Sequence, residues 1–108
     1  MKGYIVTKAR VLLDKTLDIS ERFRVELKVF EVVASQKHPE GVKARYALID
    51  VVRQVPRLVV DNHAPFSFHA HANLPEAPED RKELKVQDYL EALDHFWKLV
   101  TEVLRHEN

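Results

Sequence analysis

The spacing of apolar residues changes once along the chain, and this change limits the folds that the chain can adopt. From Phe23 to Val29 apolar and charged residues alternate, and shorter stretches on either side repeat the pattern. A period of two predicts strands with one buried face. From Val86 to Leu104 the apolar residues recur every three or four positions, which predicts a helix with one buried stripe. We therefore expect an α+β fold, in which an antiparallel sheet of about four to five strands is covered on one face by a C-terminal amphipathic helix.

Breaks in the alternation predict where the strands begin and end. We predict strands over residues 4–13, 22–29, 42–52, 57–60 and 66–72, all within a sheet region of residues 4–73. The alternation slips after Val29, because Phe30 is apolar where a polar residue is due, and this predicts a β-bulge near the two residues. A cluster of turn-forming residues predicts a hairpin tip over residues 36–41.

The last third of the chain contains the predicted helix and the segment that leads to it. Residues 74–85 hold two prolines and many charges, so we expect an exposed connection there. The helix is predicted over residues 86–106. A chain of 108 residues has the commonest size of a protein domain, so residues 1–108 are predicted to form a single domain.

Composition restricts the classes of function. The 17 basic residues equal the 17 acidic ones, so no overall positive field attracts nucleic acid or an anionic membrane. The absence of cysteine excludes disulfides and thiolate chemistry. The N-terminal segment carries charges every few residues, and no run reaches the roughly 20 apolar residues of a membrane-spanning helix. We expect a cytoplasmic protein with no membrane partner.

The main candidate for a functional site is a cluster of histidines after an Asp-Asn pair. Three of the six histidines, His63, His69 and His71, lie within nine residues and follow Asp61 and Asn62 directly. Residues two apart on a strand point to the same face, so His69 and His71 are expected to project together. The clustering indicates either a chemical site or a solvated polar face.

Three interpretations of this cluster are open. Two imidazoles can act as general base and general acid, because the unperturbed pKa of histidine is nearest to neutrality, and this chemistry would cleave RNA without a metal. Alternatively, His69 and His71 with Asp61 or His63 can hold a divalent metal ion that activates water. Histidines on a polar strand face beside an ordinary turn are also often only solvated.

Other residues offer weaker signals. Arg45, Arg53 and Arg57 are candidates for holding phosphate groups near the end of the sheet, whereas the charged face of residues 22–28 is predicted to be solvated. The two glycines are far apart, so a phosphate-binding nucleotide loop is excluded.

The run Asp61-Asn62-His63, followed by His69-Ala70-His71 and a terminal amphipathic helix, resembles the TumE-type toxins of bacterial and archaeal toxin-antitoxin systems. The resemblance implies a growth-inhibiting endoribonuclease that acts on RNA and is neutralised by a cognate antitoxin protein. It implies catalytic roles for Asp61, His63, His69 and His71. Asn62 and Arg57 are the implied substrate-binding residues. No cofactor is expected, although a divalent metal held by Asp61, His69 and His71 is possible.

Two functions of other classes are also compatible with the sequence. The domain can be a non-enzymatic protein-protein interaction module, for instance a homodimer formed through a sheet edge, and the neutral charge balance fits this function. It can also be a metal-dependent hydrolase of a small phosphorylated substrate.

Overall fold

The computed structural model describes residues 10–36, 38–63 and 66–107, which form one sheet and one helix. The elements are β1 Arg10–Asp18, β2 Phe23–Glu31, β3 Val42–Asp50, β4 Val55–His63, β5 Phe66–His71, β6 Lys82–Glu83 and α1 Tyr89–Glu107. The strands lie in the order of the chain, and each is antiparallel to the next. The predicted α+β class is confirmed, but the described sheet has six strands rather than four to five.

The hydrophobic core lies between one face of the sheet and α1. The alternation in β2 buries Val25 and Val29 completely while Arg24 and Lys28 stay exposed on the other face. The helix buries Phe96 on its inner stripe, where its ring packs 5.8 Å from that of Tyr46 in β3. Complete burial of a large apolar side chain stabilises a fold by about 1.5–3 kcal/mol, so this seam holds the helix on the sheet. The predicted amphipathic helix over one sheet face is confirmed.

The helix begins later than its apolar pattern suggests, and the reason is its cap. The N–H of Glu91 donates to Asp88 Oδ1 at 2.9 Å, and Glu91 Oε2 accepts from the N–H of Gln87 at 3.0 Å. This pair of contacts has the character of a capping box, so the helix begins at Tyr89. Val86 lies before the helix and packs against the core from the connection.

Strand boundaries differ from the predictions most in the first and fourth strands. The fourth, predicted over residues 57–60, runs from Val55 to His63 and includes Pro56. The first strand runs from Arg10 to Asp18, and the predicted strand residues 4–9 lie outside the described residues. The predicted bulge is found beside Val29 and Phe30, but it belongs to the neighbouring strand β1. Phe30 pairs with Val11 and Val29 with Leu13, so the extra residue is Leu12 of β1.

The segment of residues 74–85 is not only an exposed connection. It forms the short strand β6, and Leu84 is 7% exposed and belongs to the core. The N–H of Leu84 donates to the carbonyl of Phe68 at 2.9 Å, which fastens the segment to β5. No helix among the described residues is long and apolar enough to cross a membrane.

Candidate functional site

Asp61, His69 and His71 lie together on the sheet face opposite α1. Asp61 of β4 stands directly across from His69 of β5. The adjacent pair, Val60 and Ala70, is buried on the helix side. Since neighbouring residues of a strand point to opposite faces, Asp61 and both histidines share the other face. The β4–β5 hairpin thus brings together three of the residues predicted from the sequence.

The three side chains are close enough to act as one site. The Nε2 of His69 lies 2.8 Å from the Oδ1 of Asp61. The rings of His69 and His71 are 5.2 Å apart between centroids and nearly perpendicular, at 82°. One possible ligand atom from each of the three residues lies within 4.8 Å of the other two. We call this group the Asp-His-His cluster.

Backbone carbonyls determine which ring nitrogens carry hydrogen. The Nδ1 of His69 lies 2.9 Å from the carbonyl oxygen of Ser67, and the Nδ1 of His71 lies 3.2 Å from that of Asp80. A carbonyl oxygen only accepts, so each Nδ1 must donate. In a neutral ring this leaves the lone pair on Nε2, the atom that faces Asp61 in the case of His69.

The contact between His69 and Asp61 therefore depends on a shared cation. A neutral His69 would place the Nε2 lone pair 2.8 Å from a carboxylate oxygen, and two acceptors at that distance repel each other. His69 is only 5% exposed, and Asp61 Oδ1 is buried and accepts no well-aligned hydrogen bond in the described part of the chain. Buried charge is stable only when it is compensated. A proton on Nε2 provides that compensation at the observed 2.8 Å, and a metal ion bound to both atoms would provide it once they separate to about 3 Å or more.

The Asn62 side chain bonds to the backbone of β3 and replaces backbone pairing. Its Oδ1 accepts from the N–H of Ala44 at 2.9 Å, and its Nδ2 donates to the carbonyl of Val42 at 2.8 Å. The ladder between β3 and β4 has its last pair at Arg45 and Asp61, so the Asn62 amide continues the pairing beyond that point. Asn62 was predicted to bind substrate, but its contacts are those of a residue that holds the end of the β3–β4 pair together.

Arg57 lies at the C-terminal end of α1, apart from the cluster. Its guanidinium donates to Glu107 Oε1 at 2.9 Å and to the carbonyl of Ala72. A register shift between Leu48 and Ile49 leaves Arg57 as an extra residue in β4. These contacts connect the helix end to the sheet.

His63 lies on the same strand as Asp61 but does not join the cluster. It is exposed at the end of β4 and lines a groove of about 260 Å³ together with Lys43, Arg45 and Asp61. Arg53, another predicted phosphate contact, pairs with Glu76 at 3.0 Å. The predicted site residues therefore separate into a cluster of three and five residues outside it, which are Arg45, Arg53, Arg57, Asn62 and His63.

Two parts of the site were not predicted from the sequence. The carbonyl groups of Ser67 and Asp80 orient the histidines, but a backbone group leaves no signal in the residue types. Lys28 was predicted to be merely solvated, although it stands directly opposite Arg45 on the face of the cluster. The register of β2 against β3 would have been needed to find this placement.

Comparisons of the chain with protein-family models, with curated proteins and with solved structures found no match. The resemblance to TumE-type toxins therefore stays a prediction.

Proposed function

We propose that the Asp-His-His cluster binds a divalent metal ion and that the chain uses it to cleave RNA, as an endoribonuclease of the kind that the TumE resemblance implies. The observation that carries this proposal is the contact between Asp61 Oδ1 and His69 Nε2. Both atoms are acceptors when Nδ1 is bonded to the Ser67 carbonyl, and they lie 2.8 Å apart. A metal ion can bind both from one side once they separate to about 3 Å or more, as metal–ligand bonds of about 2.0–2.2 Å require.

The surroundings of the two histidines support metal binding. Histidines that ligate metals through Nε2 usually donate Nδ1–H to a carbonyl or carboxylate, which fixes the ring and its tautomer. His69 and His71 both have this arrangement, with Ser67 and Asp80 as acceptors. Two imidazoles and one carboxylate are the ligand set of many catalytic zinc and iron sites. A bound ion would lower the pKa of a coordinated water and neutralise charge on a phosphate.

RNA is supported as the substrate by the charges beside the cluster. Arg45 stands directly across from Asp61, yet the described residues offer it no ion-pair partner. An unpaired guanidinium next to a metal site suits a phosphodiester, which it can hold by two hydrogen bonds. The remaining parts of the proposal, a growth-inhibiting toxin and a cognate antitoxin as partner, rest on the resemblance alone.

The same contact favours a second mechanism without a metal. If His69 is doubly protonated, it makes an ion pair with Asp61 and both its nitrogens are occupied. The proton of the ribose 2′-hydroxyl would then pass to His71, the 2′-oxygen would form a bond to phosphorus, and the 5′-oxygen would leave with a proton from water. This mechanism gives a 2′,3′-cyclic phosphate and does not depend on divalent ions.

Metal binding can be measured without any assay of activity. We expect metal-free wild-type protein, titrated with Zn²⁺ or Mn²⁺ in a calorimeter, to bind one ion per chain, and His71→Ala to weaken this binding by about tenfold or more. His106→Ala, which removes an exposed histidine of α1, is the matched control and should bind as the wild type does. Absence of binding by the wild type, or equal binding by His71→Ala, would exclude the metal site and leave the metal-free mechanism or the interaction module.

A further inference from the structure

A second feature of the cluster's face is a group of cations without counterions. Lys28 of β2 and Lys43 and Arg45 of β3 take part in no ion pair among the described residues. All three are exposed, and the ring of Phe30 lies beside them. We call these four residues the basic groove.

The placement of these cations is unfavourable for the protein alone. Lys28 stands directly across from Arg45, and like charges opposite each other on a sheet destabilise it. Glu26 shares this face but makes no ion pair with Lys28 or Arg45. Arg24, the preceding residue of β2 on the same face, does have a partner and pairs with Asp18 at 3.2 Å. An anionic ligand would remove the repulsion.

The basic groove leads to the Asp-His-His cluster. One hollow of about 210 Å³ is lined by Lys28, Phe30, Lys43 and Arg45. A second hollow of about 260 Å³ shares Lys43 and Arg45 with the first and reaches Asp61. Both are smaller than the roughly 300 Å³ at which pockets for small molecules begin. Their continuity suits an extended polymer that lies across the sheet better than a small phosphorylated compound.

We propose that the basic groove binds the strand of single-stranded RNA that leads to the scissile phosphate, with phosphates held by Lys28, Lys43 and Arg45 and one base stacked on Phe30. The inference rests on the proposed function for the identity of the strand as a substrate. Grooves for single strands combine cations that follow the backbone with aromatic rings that stack on bases, and both components are present here. An acidic segment of a protein partner would use the cations but would gain nothing from the route to the cluster.

Binding can be tested separately from cleavage. The probe is a fluorescent 2′-O-methyl oligonucleotide of about twelve nucleotides in EDTA, within the usual site size of single-strand binders, and it cannot be cleaved by either mechanism. Fluorescence anisotropy over a series of salt concentrations should give a weaker affinity for the double variant Lys28→Gln, Arg45→Gln. The slope of log K against log [salt] should fall by about 1.4, since each lost phosphate contact contributes about 0.7.

Two further variants test base stacking and the effect of charge outside the basic groove. Phe30→Ala should weaken binding by about tenfold with an unchanged salt slope, because stacking is not ionic. The double variant Lys85→Gln, Lys98→Gln removes two exposed cations outside the basic groove and should bind as the wild type does. An equal loss in the two double variants would show only a general charge effect and would overturn the inference.

Failure of this inference is distinguishable from failure of the proposed function. If the protein cleaves RNA but the basic-groove variants bind the probe normally, the strand path is wrong and the function stands. If the basic groove binds the probe but no RNA is cleaved, the groove is an RNA-binding surface as inferred, and the catalytic proposal is lost. Displacement of the probe by an acidic peptide, with no effect of Phe30→Ala, would replace RNA by a protein partner and would overturn the inference.

Discussion

Some residues near the Asp-His-His cluster hold its strands in place and do not take part in it, and Asn62 is one of them. Its amide satisfies the N–H of Ala44 and the carbonyl of Val42, two groups that lack a ladder partner at the end of β3. Because Asn62 is 4% exposed, water cannot take over these hydrogen bonds if the amide is removed. This anchor holds the end of β4, and with it the neighbouring Asp61, against β3.

We predict that Asn62→Ala lowers the free energy of unfolding by about 2–4 kcal/mol, because two buried backbone groups lose their partners. Urea denaturation followed by circular dichroism would measure this loss. Asn73→Ala removes an exposed amide and should change stability by less than about 0.5 kcal/mol. A stable Asn62→Ala protein that binds the RNA probe poorly would instead assign Asn62 to the substrate.

Asp50 is a buried carboxylate whose charge stabilises the turn between β3 and β4. Burial raises its pKa, but hydrogen bonds from the N–H groups of Arg53 and Val52 and the guanidinium of Arg22 lower it further than burial raises it. The pKa in the folded state therefore lies below the ordinary value of 3.8. A lowered pKa means stability that is complete above the unfolded value and is lost as pH falls through the folded value.

Because the pKa of Asp50 is lowered in the folded state, we predict that the wild type loses stability below about pH 4 and that Asp50→Asn loses less over the same range. At pH 7 the variant should be less stable by about 1–2 kcal/mol, because an amide nitrogen would face the Arg22 guanidinium. Urea midpoints at pH 7, 4 and 2.5 would show the two curves converging in acid. Asp94→Asn on the exposed side of α1 is the control, and parallel curves for Asp50→Asn and wild type would contradict the account.

At the scale of elements, α1 is held on the sheet by its apolar stripe and by an ionic clamp at its C-terminal end. Arg57 of β4 donates to Glu107 at 2.9 Å, and Arg22 lies 3.4 Å from the same carboxylate. The hydrogen bond from Arg57 is the main cause that holds the pKa of Glu107 below its ordinary value. The Arg57 side chain is only 19% exposed, and its guanidinium is committed to this contact.

Arg57→Gln is therefore expected to lower stability by about 2 kcal/mol, the usual cost of losing hydrogen bonds to a charged group. Metal affinity and binding of the RNA probe should be unchanged, because the described contacts of the Arg57 guanidinium are with Glu107 and the Ala72 carbonyl. Arg105→Gln, on the exposed side of the same helix end, is the matched control. Weaker RNA binding by Arg57→Gln at unchanged stability would restore Arg57 as a substrate-binding residue.

The elements that the sequence predicted best are those with a long periodic pattern. Alternation in β2 and the helical stripe around Phe96 identified the core faces, since both patterns persist over many residues. β6 was missed because Leu84 is a lone apolar residue among charges, and its burial depends on pairing with β5. The bulge was assigned to β2 because its effect appears at Phe30, although the extra residue belongs to β1.

At the scale of the whole molecule, one helix covers one face of the sheet and leaves the other available for polar chemistry. The alternation around His69 and His71 was enough to predict that these two residues share a face. The partnership of His69 with Asp61 needed the register of the β4–β5 hairpin, and the basic groove needed that of β2 against β3. Register depends on bulges and turn lengths, which residue types alone specify poorly.

The central claim is that the Asp-His-His cluster cleaves RNA with a bound metal ion. The most direct test is to incubate single-stranded RNA with the wild type, with the double variant His69→Ala, His71→Ala, and with His106→Ala as control. Each is assayed in EDTA and again after Mn²⁺ or Zn²⁺ is restored, and circular dichroism confirms folding. The account predicts that the wild type and the control cleave only with metal and that the double variant cleaves in neither condition. Cleavage by the wild type in EDTA, or by the folded double variant with metal, would contradict it.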